Sequence, residues 1–283
     1  MTQQQGFVSL PFEVKTECKR YEGRVAVIHG GGQGLGRVIG KRMAEEGAKI
    51  IIADIQEEKA KQTAADIKRD TGVETSSYAG DMSVAGVADD MAAQVLKDFG
   101  RLDVLVNTAA YQMRKPFLSF TEEMMQKAMN WNLWNTLRAC KAVIPAMMEQ
   151  HYGRIVNIGG SAFERGNPYH SFLAGAGKGG IVGLTTTLAG ELVTHGITLN
   201  CVSPSNMEVR ADGTTDSKAG GREAEFNPTD EEKKIYPPMT GGSPMGRPAH
   251  PTEVAAAVAF FASPEASYIT GQMLSVTGGG YMI

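Results

Sequence analysis

Residues 25–36 read Val25-Ala26-Val27-Ile28-His29-Gly30-Gly31-Gly32-Gln33-Gly34-Leu35-Gly36, and this stretch decides the fold. A short, mostly β-branched apolar run stops on a cluster of glycines, and helical spacing continues from there to Glu46. The reading is strand, glycine turn, helix. Side chains at Gly30, Gly34 and Gly36 would hold the backbone away from a pyrophosphate, while the helix that follows offers unpaired N–H groups and a positive partial charge. Gln33 and Leu35, within the same turn, are counted with the glycines as cofactor-binding residues.

Outward from this turn the pattern repeats. The run Lys49-Ile50-Ile51-Ile52-Ala53 closes on Asp54, eighteen residues after Gly36. A carboxylate at the end of a second strand accepts hydrogen bonds from an adenosine ribose, which favours NAD. Its charge opposes the extra phosphate of NADP unless a basic neighbour compensates, and Arg37 is the nearest in sequence. Ile55 belongs to the same corner. A charged helix is expected over 56–70, a strand over 75–79, and then Asp81 and Met82, which would meet the adenine through a side chain and a backbone group. A helix over 84–99 precedes a buried strand over 102–107, whose final Asn107 would brace neighbouring strands and line the cleft, with Ala109 just beyond. A long helix over 122–150, a strand over 153–158, a helix over about 171–194, a strand over 197–202 leading to Pro204, a helix over 253–263 and a strand over 273–276 complete the rhythm.

Strands alternating with helices predict an α/β, doubly wound, Rossmann-like fold with a mainly parallel sheet in a single domain. That domain is expected over 23–283, after an N-terminal extension over 1–22. The Gly-, Pro- and charge-rich stretch over about 205–245 interrupts the pattern and reads as a surface insertion, either a mobile loop or a cover over substrate.

The 283 residues are 42% hydrophobic and 21% charged, a composition that suits a globular fold rather than extensive disorder. A formal charge of -3 offers no surplus to attract nucleic acid. Cys18, Cys140 and Cys201 are scattered and odd in number, which fits a reduced cytoplasm better than a disulfide framework. The five histidines form no HExxH or HxE pattern, so no metal is expected. The first twenty residues lack a basic start and apolar core, and no later run approaches spanning length, so neither secretion nor membrane insertion is expected.

His29-Gly30-xxx-Gly34-Leu35-Gly36, Asp81, Asn107-Thr108-Ala109-Ala110, Asn132, Ile155-Val156-Asn157-Ile158 and Lys178 together resemble the short-chain dehydrogenase/reductase pattern. The likeness spans about 23–280 and includes Gly271-Gln272 and Thr277-Gly278-Gly279 near the end. It implies a small-molecule substrate, a nicotinamide cofactor and a homo-oligomer, often a tetramer built on two long helices and the C-terminal region. It assigns Lys178 to the nicotinamide ribose and to electrostatic support of proton transfer. Asn132 would anchor a water or a backbone bulge in the proton path. Ser161 stands at the family serine when counted from the usual tyrosine position, whereas counting from Ile155-Val156-Asn157-Ile158 puts Gly160 there.

The departure is Ala174, four residues before Lys178, where the family carries tyrosine. A methyl group transfers no proton, although a positioned acid or base contributes about 10²–10⁴-fold. Tyr169, His170, Ser171 and Tyr111 are the nearby replacements, with Tyr169 and His170 ranked together. His29, Thr108 and Ser205 also differ from the usual threonine, asparagine and glycine. The tyrosine-poor Ala174-Gly175-Ala176-Gly177-Lys178 is similar to the matching segment of 2,4-dienoyl-CoA reductases, but Phe163 stands where one type of those enzymes has a catalytic tyrosine. The leading expectation is an NAD(H)-dependent oxidoreductase acting on a secondary alcohol or ketone. A conjugated C=C reductase, a cofactor-binding protein without turnover, and a non-redox lyase or isomerase are the alternatives.

Overall fold

The computed structural model describes residues 18–112, 116–160, 163–164, 172–205, 207 and 243–280. Seven strands, β1 (Val25–His29), β2 (Lys49–Asp54), β3 (Thr75–Ala79), β4 (Val104–Asn107), β5 (Gly153–Ile158), β6 (Ile197–Pro204) and β7 (Met273–Val276), form one sheet in the order β3-β2-β1-β4-β5-β6-β7. Every neighbouring pair is parallel. The helices are α1 (Gly34–Glu45), α2 (Glu57–Thr71), α3 (Val87–Phe99), α4 (Glu122–Met129), α5 (Asn135–Glu149), α6 (Phe172–Leu192) and α7 (Pro251–Phe261).

A parallel sheet must be covered on both faces, and its inner strands are accordingly almost wholly buried and mostly apolar. Alternate residues of β1 supply the two cores. Ala26 and Ile28 pack with Ile39 and Met43 of α1, Ile67 of α2 and Val254 and Val258 of α7. Val25 and Val27 face the opposite layer, with Met91 and Val95 of α3, Val143 and Met147 of α5 and Leu192 of α6. The chain leaves β1 toward β2 on one side and returns to β4 on the other. The crevice above the β1/β4 boundary is the topological switch point at which such sheets bind ligands.

Helix boundaries differ from the sequence expectation where backbone geometry intervenes. The helix expected from Val84 starts at Val87, because Val84 N–H closes a turn on the Asp81 carbonyl at 2.9 Å and Gly86 takes a left-handed φ of 89°. The helix expected over 122–150 is α4 and α5 joined through a π-helical turn, Asn130–Trp134. α6 passes into a 3₁₀ turn over Val193–His195 and stops at Gly196, whose φ is 74°. The last residues of the segment read as an extension reach the core. Tyr21 is fully buried and its hydroxyl donates to the Ala259 carbonyl. Arg20 grips the buried Glu46 carboxylate through two bonds of 2.6 and 2.8 Å. Among the described residues no helix is long and apolar enough to cross a membrane.

Candidate active site at the C-terminal edge of the sheet

The glycine turn is folded so tightly that side chains cannot enter it. A Cβ on Gly36 would lie 2.3 Å from the Gly30 carbonyl oxygen, and one on Gly30 would lie 2.6 Å from the Ala109 nitrogen. Gly30 and Gly34 also take left-handed φ values of 78° and 56°. The turn delivers Gln33 to the N-cap of α1, where no side chain caps the helix and no acid occupies the first turn, which includes Leu35 and Gly36. A cradle of this kind, at a helix N-terminus whose first turn holds no carboxylate, fits a pyrophosphate.

Asp54 closes the β2 corner. Its carboxylate accepts Gly32 N–H at 2.9 Å and Gln56 N–H at 3.0 Å, one bond on each oxygen, so each keeps acceptor capacity for a hydroxyl. The Ile55 side chain is half exposed beside it. Arg37 turns away to pair with Asp66 at 3.1 Å. Lys59, which sequence reasoning missed, donates its ammonium to the Gln33 side chain and brings a cation to this corner. Only the spacing of the α2 helix, two residues into its first turn, could have flagged it. Asp81 accepts Ser83 N–H at 2.8 Å and the Trp131 indole N–H at 3.2 Å, while Met82 is buried in the core.

A row of polar side chains crosses β1, β4 and β5 just beneath the crevice. His29 Nδ1 lies 3.0 Å from Asn107 Oδ1, Asn107 Nδ2 donates to Asn157 Oδ1 at 2.9 Å, and Asn157 Nδ2 donates to Thr185 Oγ1 at 3.1 Å. Asn107 therefore braces three strands, as one of its two expected roles required. Thr108 turns its hydroxyl between the His29 and Gly30 carbonyls, 2.9 Å from each, and ties the β4 end to the glycine turn.

Asn132 sits inside the π turn and is fully buried. Its amide donates to the carbonyls of Tyr111 and Ala128 at 2.8 Å each, and its oxygen accepts Tyr111 N–H at 3.1 Å. The side chain thus holds the loop after β4 against α4. Tyr111 itself is buried, its ring edge-on to Trp131 at 5.1 Å.

Lys178 projects from α6 to the Ile158 carbonyl, 2.7 Å from its ammonium. No carboxylate pairs with it among the described residues, and burial lowers its pKa to about 8. Gly160 lies against the Lys178 stem, where an added Cβ would be 3.6 Å from Cγ. Ala174 precedes Lys178 by about one helical turn and shares its buried face. Pro204 ends β6 in register with Val276, and Ser205 N–H continues the ladder to the Val276 carbonyl at 3.2 Å. The structure therefore gathers the glycine turn, Asp54, Asn107, Ala109, Asn132, Lys178 and Pro204 along one edge of the sheet. Ser161, Tyr169, His170 and Ser171 lie outside the described residues, as does most of the expected insertion.

A family model described as enoyl-(acyl carrier protein) reductase matches residues 30–281. The chain is 34% identical over 264 residues to 2,3-dihydroxy-2,3-dihydro-p-cumate dehydrogenase of Pseudomonas putida, covering 93% of this chain and 96% of that one. It is 35% identical over 262 residues to the 3-oxoacyl-(acyl-carrier-protein) reductase of Vibrio cholerae, covering 93% and 99% of the two chains. The solved structure of NAD+-bound xylitol dehydrogenase matches with a TM-score of 0.81 and 30% identity, over 92% of this chain and 100% of that one. Strand order, glycine turn and relatives agree: the chain is an oxidoreductase that belongs to the short-chain dehydrogenase/reductase family.

Proposed function

We propose that the protein is an NAD(H)-dependent oxidoreductase that interconverts a secondary alcohol and a ketone, with proton transfer supplied from outside position 174. The observation that carries this reading is the pairing of Lys178 with Ala174 on one buried face of α6. The cation that would support proton transfer is present, and the hydroxyl that would perform it at that position is not.

The glycine turn and the α1 N-terminus would hold the pyrophosphate, Asp54 the adenosine ribose and Asp81 the adenine. The Lys178 ammonium spends one N–H on Ile158 and has two for a ribose. When bound, the nicotinamide accepts or returns a hydride. Alcohol oxidation also releases the hydroxyl proton, and this chain's own side chains must take it up. Tyr169 and His170 are proposed for that task, with Ser161 polarising the substrate oxygen. Asp54 argues for NAD by charge, and Lys59 is the group that would soften its preference. The protein is proposed to be a homo-oligomer, a tetramer acting in the cytoplasm, as the family resemblance implies; the exposed apolar side chains of Leu274 in β7 and Phe260 in α7 are compatible with such a contact.

A conjugated C=C reductase is the second reading, because an enolate carbon can take its proton from water and Ala174 is then no handicap. The deciding experiment is a broad substrate screen followed by NADH absorbance, with the product of each hit identified. Ketone or alcohol products support the first reading. Saturated C=C products overturn it in favour of the second.

A further inference from the structure

The polar row beneath the crevice fixes the protonation pattern of His29. Thr185 Oγ1 has two partners, the Ile181 carbonyl at 2.8 Å and Asn157 Nδ2 at 3.1 Å. A carbonyl only accepts, so the single hydroxyl proton goes to Ile181 and the hydroxyl oxygen accepts from the Asn157 amide. That orients Asn157, whose Oδ1 must accept from Asn107 Nδ2 at 2.9 Å. Asn107 is oriented in turn, and its Oδ1 faces His29 Nδ1 at 3.0 Å. An oxygen facing a ring nitrogen requires a proton on that nitrogen. His29 is therefore an Nδ1–H donor, and burial keeps the imidazole neutral by lowering its pKa. Its Nε2 is a bare lone pair.

That lone pair has no hydrogen-bond partner among the described residues. His29 retains 5% exposure. His29 ends β1 immediately before the glycine turn, in register with Asn107 of β4, which puts it at the switch point. The charged groups whose fields reach its ring are Asp54, Lys178 and Asp81, the same three that the proposed cofactor contacts use.

We infer that His29 Nε2 is an acceptor for the bound dinucleotide, taking a hydrogen bond from a ribose hydroxyl or an amino group, directly or through one water. The inference rests on the cofactor reading above and adds a chemical restriction to it. A lone pair repels phosphate oxygens, so His29 serves a donor-bearing part of the ligand and not the pyrophosphate. The family's usual threonine at this position has a hydroxyl that can donate or accept. This histidine, with its Nδ1–H spent on Asn107, can only accept at Nε2.

The test is two-bond ¹⁵N imidazole spectroscopy of the full chain, with His29→Gln identifying the resonance, together with calorimetry of NAD+ and NADP+ binding. In the free protein the spectrum should show Nδ1 protonated and Nε2 bare. Adding the dinucleotide that binds should move Nε2 toward the protonated position. His29→Phe should weaken that dinucleotide about tenfold, the size of one net hydrogen bond. His29→Gln should recover most of the affinity, since its amide N–H can face Asn107 while its oxygen supplies the acceptor. A free protein with Nε2 protonated overturns the inference. So does a bound dinucleotide that leaves the Nε2 resonance and the His29→Phe affinity unchanged. If neither dinucleotide binds the wild-type protein, the cofactor reading falls and this inference falls with it, a result separable from the previous ones by the absence of any binding heat.

Discussion

Replacing Lys178 by methionine should make the protein more stable and leave it a poorer binder of NAD+. The ammonium is buried with no counter-charge among the described residues, and a lysine held at about 8 rather than near 10.5 corresponds to roughly 3 kcal/mol of unfavourable charge burial. Methionine has a similar length and no charge. Its cost is the hydrogen bond to Ile158, about 1 kcal/mol net. The balance favours the variant by about 2 kcal/mol near neutral pH, or about 4 °C in Tm for a chain of this size. The pH dependence has a definite sign. Between about 8 and the ordinary lysine range the unfolded chain binds more protons at this residue than the folded one, so wild-type stability rises with pH there. The advantage of Lys178→Met should therefore be full near neutral pH, shrink as pH passes about 8 and be nearly gone by about pH 10. Urea titrations of both proteins across that range measure the difference directly, and other titrating groups cancel in it. Calorimetry with NAD+ would show the loss of affinity. A variant less stable than wild type near neutral pH, or an advantage that persists undiminished at high pH, would refute the argument that Lys178 is an uncompensated buried cation.

Asp54→Ala should weaken NAD+ by about tenfold and narrow the gap to NADP+, since it removes a charge-assisted acceptor and a repulsion at once; calorimetry with both cofactors decides, and an unchanged ratio counts against the carboxylate. Gly36→Ala places a methyl against the Gly30 carbonyl, a backbone contact that no side-chain rotation relieves. It should destabilise the fold by about 2 kcal/mol and abolish dinucleotide binding, and a variant that binds normally would mean the turn is not the cradle. Tyr21→Phe should cost about 1–2 kcal/mol in a urea titration with NAD+ affinity intact, because it leaves the buried Ala259 carbonyl without its donor. Ala174→Tyr should slow turnover of whatever substrate the screen identifies, by filling the space beside Lys178. Acceleration would instead mark the site as an ordinary one with its phenol missing.

The fold was legible because its signals are local. A β-branched run, a glycine turn and a helix lie within a few residues of one another, and their repetition leaves little choice but a parallel sheet. Asp54 and Asn107 could be placed for the same reason, since each ends such a strand, whereas Lys178 was singled out only by the resemblance to the family pattern. Lys59 was not legible. Its position depends on how α2 packs beside the glycine turn, and Arg37, nearer to that turn in sequence, is drawn away by Asp66. The meaning of His29 was hidden too, because its tautomer is set by Thr185, which lies far away in the chain and adjacent only through three strands. The π turn escaped the helical pattern for another reason: its residues, Asn130-Trp131-Asn132-Leu133-Trp134, carry no glycine or proline to interrupt the apolar spacing.

That π turn also sets the phase of everything after it. A helix advances about 100° per residue, so one extra residue in a turn rotates the downstream stripe by that amount relative to the upstream one. α5 uses the rotated frame to bury Thr136, Ala139, Cys140, Val143 and Met147, spaced three and four apart, against the sheet. α4 keeps the original frame, with Ala128 turned toward Tyr111 and the edge of the crevice. One rod thus has two working azimuths, one turned to the loop after β4 and one to the sheet. Excising a single residue between Asn130 and Trp134 would merge them, and α5 would then roll its apolar stripe out toward water while Asn132 lost its hold on Tyr111.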